Sequence, residues 1–109
     1  MEAKRIKFER TGGFAGIRFA ADLELDELPK DQAQHILELL DDLDFTNLPE
    51  EMLGSQQVAD GFVYSITVIS EKQEYTVTTT DTAAPDKMEP LLNLLTQATR
   101  QQMIDKGKH

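Results

Sequence analysis

Arg10-Thr11-Gly12-Gly13-Phe14-Ala15-Gly16 holds three of the chain's six glycines within five residues. Glycine takes positive φ and close backbone approach without the penalty of a Cβ, so this density marks a turn of unusual geometry. Before it, Ile6 and Phe8 alternate with Arg5, Lys7 and Glu9; after it, Ile17, Phe19, Ala21 and Leu23 alternate with Arg18, Ala20 and Asp22. A period of two puts each apolar set on one face of a β-strand. The spacing predicts a first strand from Lys4 to Arg10, a second through Ile17 to Leu23, and a hairpin joining them. The connection is too long for a two-residue turn, so it projects or carries a bulge. Phe14 stands where a turn ordinarily has a polar residue. Two readings are open: a plug folded over the end of the core, or an aromatic held out for a partner.

The later chain repeats this order. Ala33, Ile36, Leu37, Leu40 and Leu43 recur at the spacing of one helical face, with Asp26 or Asp31 placed to cap the helix. Phe45 and Leu48 are expected to close over the core, and Glu50 to Gly61 reads as an irregular loop. Phe62, Tyr64, Ile66 and Val68 define a third strand, Ser70 to Gln73 a short turn, and Glu74 to Thr80 a fourth strand with Tyr75 and Val77 on one face. Leu91, Leu92, Leu94, Leu95, Ala98 and Met103 form the stripe of a closing helix. It begins near Glu89, because Pro90 suits a first turn. Residues 105–109 read as a frayed polar tail. The predicted fold is therefore α+β, in the order ββαββα: two hairpins in a four-stranded antiparallel sheet, with both helices packed on one face.

At 109 residues the chain is read as a single domain, 1–109, with one modest core. It has no cysteine, which excludes disulfide and thiolate chemistry. No apolar run reaches the length of a membrane span or a signal peptide, so a cytoplasmic address is expected. The net charge of −9 is uneven: residues 1–20 carry five cations against Glu2 and Glu9, while Asp22 to Asp60 carry twelve acids and one cation, Lys30. Such a surface repels nucleic acid and anionic lipid, and neither is expected as a partner.

Catalytic patterns are missing. The internal histidine, His35, falls near the edge of a helical apolar face and reads as a surface residue. Asp41, Asp42, Asp44 and Asn47 depart from calcium-loop spacing and read as solvated groups ending a helix. Neither a metal nor a cofactor is expected. The pattern favours a binding module over an enzyme.

One resemblance adds to this. Ile6-Lys7-Phe8-Glu9-Arg10-Thr11-Gly12-Gly13-Phe14-Ala15-Gly16-Ile17-Arg18, then Asp44-Phe45 with Leu48-Pro49, Asp60-Gly61-Phe62-Val63-Tyr64-Ser65-Ile66-Thr67-Val68, and Ala84-Pro85 before Leu91-Leu92 occur in that order over residues 4–95. Together they resemble the emfourin family of protein inhibitors of thermolysin-like, protealysin-like zinc metallopeptidases. Thr11 stands where the family usually has serine, and Thr46 where it often has a second aromatic residue. The resemblance implies a cytoplasmic, non-enzymatic protein that blocks a zinc peptidase, the peptidase supplying the metal. Free of its target, the chain is expected to be a monomer. The expected contact surface is Arg10, Thr11, Gly12, Gly13, Phe14, Ala15, Gly16 and Arg18. In this picture Phe14 enters the hydrophobic pocket past the scissile bond, the glycines allow close approach, and Arg10 and Arg18 meet acidic groups at the cleft rim. The alternative is a regulatory or scaffold module that binds a different partner without inhibiting it.

Overall fold

Strand β1 (Arg5–Gly12) lies inside the sheet, paired antiparallel with β2 (Phe19–Glu24) on one side and with β4 (Phe62–Ile69) on the other. The computed structural model describes residues 3–12, 19–52, 62–80 and 83–107. Register explains the alternation read from the sequence. Ile6 lies opposite Leu23 and Val68, Phe8 opposite Ala21 and Ile66, and Ile66 opposite Val77 of β5 (Glu74–Thr80). All of these side chains share one face of the sheet, and Ile6, Phe8, Leu23, Ile66, Val68 and Val77 are buried.

The opposite face is polar. Arg5 bridges Asp22 at 3.2 Å and also Glu24 on the neighbouring strand, and the hydroxyls of Thr67 and Thr76 lie 2.8 Å apart. The hydrogen bond from Arg5 to Glu24, with Asp22 beside it, holds the Arg5 guanidinium more firmly protonated than usual.

Two helices cover the apolar face. From α1 (Lys30–Leu43), Ile36, Leu40 and Leu43 enter the core; from α2 (Glu89–Gly107), Leu91, Leu92, Leu95 and Ala98 do so. All belong to one hydrophobic cluster with the inward strand residues. Burying each such side chain contributes about 1.5–3 kcal/mol, which is why a two-layer arrangement forms around this stripe. Phe45 is fully buried and meets Tyr75 edge-on, with ring centroids 6.0 Å apart. The Tyr75 hydroxyl donates to the Leu48 carbonyl, so the turn after α1 is pinned to β5.

The sheet departs from the four-stranded antiparallel expectation. It has five strands in the order β2-β1-β4-β5-β3, and the added β3 (Glu51–Met52) runs parallel to β5. The Glu50 carbonyl accepts from the Thr78 amide at 2.8 Å, and the Met52 carbonyl from the Thr79 hydroxyl at 2.9 Å. The two described residues of β3 are too few to show a period. Its position is set by the Leu48 and Thr79 contacts rather than by its own residues.

Three local expectations also change. Neither Asp26 nor Asp31 caps α1; Pro29 occupies that position, and Asp31 lies in the first turn, where a negative charge suits the helix dipole. Met103 is 43% exposed and leaves the α2 stripe. The α2 backbone stays helical to Gly107, into the segment read as a tail. No helix among the described residues is long and apolar enough to cross a membrane.

Candidate binding surface at the glycine-bearing end of the sheet

Among the described residues, β1 pairs with β2 as far as Arg10 opposite Phe19 and with β4 as far as Gly12 opposite Phe62. Gly12 has φ 103°, a region that a Cβ would crowd, so glycine is required where β1 gives way to the connection. Thr11 is paired with Val63 on the polar face. Of the predicted contact residues, Arg10, Thr11 and Gly12 are described, whereas Gly13, Phe14, Ala15, Gly16 and Arg18 lie outside the described residues. The readings of Phe14 and Ile17 lie there too.

Arg10 falls on the same face as Ile6 and Phe8 but beyond the core. Its guanidinium carbon sits 4.5 Å from the ring centre of Phe19 and 4.4 Å from that of Phe62. A planar cation between two aromatic faces is attracted by both quadrupoles and shields both rings from water. The rings continue inward: Phe62 lies 6.4 Å from Tyr64, and Tyr64 stacks on Phe8 at 6.0 Å. A row of side chains therefore runs from the buried Phe8 out to the first residues of β2 and β4. Phe19 and Phe62 were legible in the sequence as inward strand positions. Their grip on Arg10 was not, because it depends on the cross-strand register.

The other candidates resolve differently. His35 is exposed on α1. Asp44 ends α1 with left-handed φ 52° and ψ 54°, and the Asn47 side-chain amide donates to its carboxylate at 2.7 Å. That gives this acid a local capping task, since aspartate tolerates the left-handed region better than most residues. Among the described residues no group of three or more His, Cys, Asp or Glu side chains is placed to hold a metal ion.

The Emfourin family model matches residues 8–96, which takes in β1 from Phe8 onward, the whole of β2, α1, β4 and β5, and α2 as far as Thr96. No curated protein and no solved structure gives a significant match to the chain.

Proposed function

The chain belongs to the emfourin family of metallopeptidase inhibitors, and from that premise we propose that it blocks the active-site cleft of a thermolysin-like, protealysin-like zinc peptidase. The observation that supports the mechanism is Gly12, which pairs with Phe62 at the end of β1 and takes φ 103°. A connection that leaves a strand on glycine can offer extended backbone to a partner. Extended backbone is what a peptidase groove accepts.

In this reading the segment from Arg10 to Arg18 lies along the cleft, and Phe14 fills the apolar pocket next to the scissile-bond position. An aromatic anchor in a desolvated pocket is the usual form of an interface hot spot. The chain supplies neither metal nor catalytic group; the peptidase keeps its own zinc and loses access to substrate. A cytoplasmic location, expected from the sequence, belongs to the same proposal.

Titrating a thermolysin-like peptidase with the purified protein and with Phe14→Ala tests this. Stoichiometric loss of peptidase activity is expected for the parent. The variant should bind at least about tenfold more weakly, equivalent to about 1.4 kcal/mol. Equal inhibition by both would move the contact away from Phe14, and binding without loss of activity would remove the inhibitor reading.

A further inference from the structure

We infer that Arg10 is a positioning residue for inhibition: it holds the glycine-bearing end of the sheet in shape through Phe19 and Phe62, and does not act by pairing with the peptidase. The inference rests on the inhibitor reading above for its functional half.

The geometry is specific. Arg10 is opposite Phe19 on β2 and, on its other side, opposite Tyr64 on β4, with Phe62 two residues from Tyr64 on the same face. Its guanidinium lies within 4.5 Å of both flanking ring centres. One side chain thus ties β2 to β4 across β1, at the β1–β2 rung nearest Gly12 among the described residues. A contact that joins both flanking strands at this rung fixes the shape of the end of the sheet next to Gly12. A guanidinium engaged on both faces is also poorly placed to turn outward and form an ion pair, because doing so would expose both rings.

The two roles separate by chemistry. An ion pair at a cleft rim needs the charge, so lysine would serve; a plate between two rings needs the planar guanidinium, and lysine would serve poorly. A rim ion pair speeds association and weakens with salt, whereas a pre-shaped binding edge acts mainly on dissociation. Contacts that form one unit give non-additive losses when removed together.

The test uses the full chain carrying Arg10→Ala, Arg10→Lys, Phe62→Leu and the double change Arg10→Ala with Phe62→Leu. In the free protein, NMR should show the Arg10 Hδ and Hε resonances shifted upfield by the two rings, and returning toward ordinary values in Phe62→Leu. Against the peptidase, Arg10→Ala should dissociate about tenfold faster, with its association rate little changed. Arg10→Lys should recover little of that loss, and the double variant should be no worse than the weaker single one. Wild-type inhibition by Arg10→Lys, or a salt-dependent association rate that Arg10→Ala abolishes, would overturn the inference. Absence of the upfield shifts in the free parent protein would overturn the sandwich itself, whatever the inhibition data show. If the parent inhibits no such peptidase while the shifts are present, the inhibitor reading fails and the positioning role in inhibition falls with it.

Discussion

At one end of the sheet, Lys4, Leu25 and the turn from Ser70 to Gln73 close the strands with short, mostly backbone contacts. The Lys4 amide donates to Ile69 at 2.8 Å, Leu25 donates to Lys4 at 3.0 Å, and Ser70 donates to Gln73 at 2.8 Å. Lys4 also pairs with Glu71, and Phe45 lines the same hollow. At the other end, β1 reaches Gly12 with φ 103°, and side chains brace the strands: Arg10 lies against Phe19 and Phe62. Backbone closure ties the strand ends to one another, whereas side-chain bracing joins strands without using their backbone groups. We propose that the first end serves stability and the second recognition.

The largest effect that sharpens this contrast comes from the closed end. Phe45→Ala removes a fully buried ring and should cost about 3–5 kcal/mol in chemical denaturation. The fraction that remains folded should still inhibit stoichiometrically. If inhibition falls out of proportion to folding, the two ends are not separable. At the recognition end, Gly12→Val forces a β-branched residue to φ 103°. The expected loss is about 1–3 kcal/mol of stability, together with weaker inhibition, measured by thermal melting and enzyme titration on the same samples. Stability lost without any change in inhibition would break the comparison.

The smallest effect is electrostatic. The hydrogen bond and charge of Lys4 hold the Glu71 carboxyl below its ordinary value of 4.5. A depressed carboxylate contributes stability above its unfolded pKa and loses it as the pH falls through the folded one. Since both partners are exposed, the contribution is slight and screened by salt. An NMR titration of Glu71 should give a midpoint below 4.5 that returns toward that value in Lys4→Met, with inhibition at neutral pH unchanged.

Much of this was readable in the residues. Ile6 and Phe8, then Ile66 and Val68, carried their strands by alternation alone, and Ile36, Leu40 and Leu43 carried the first helix. These elements bury one face each, so burial wrote a period into the sequence. The parallel β3 left no such trace, because Glu51 and Met52 are held by β5 and not by a pattern of their own. The α1 cap was misplaced for a related reason. Proline fixes its own φ and starts the helix without any side-chain hydrogen bond, so the nearby aspartates looked more capable than they are. At the candidate site, Gly12 was legible from its neighbours. Arg10 was legible as a cation but not as a brace, since its two rings come from different strands and only the register brings them together.

The most direct test of the division between the two ends is the footprint of the bound peptidase on the backbone amides of the isotope-labelled protein. The account predicts that Thr11, Gly12, Phe19 and Phe62 shift or become protected, while Lys4 and Ser70 to Gln73 stay as they are in the free chain. A footprint centred on Ser70 to Gln73 and Lys4, with Thr11 and Gly12 unmoved, would contradict it.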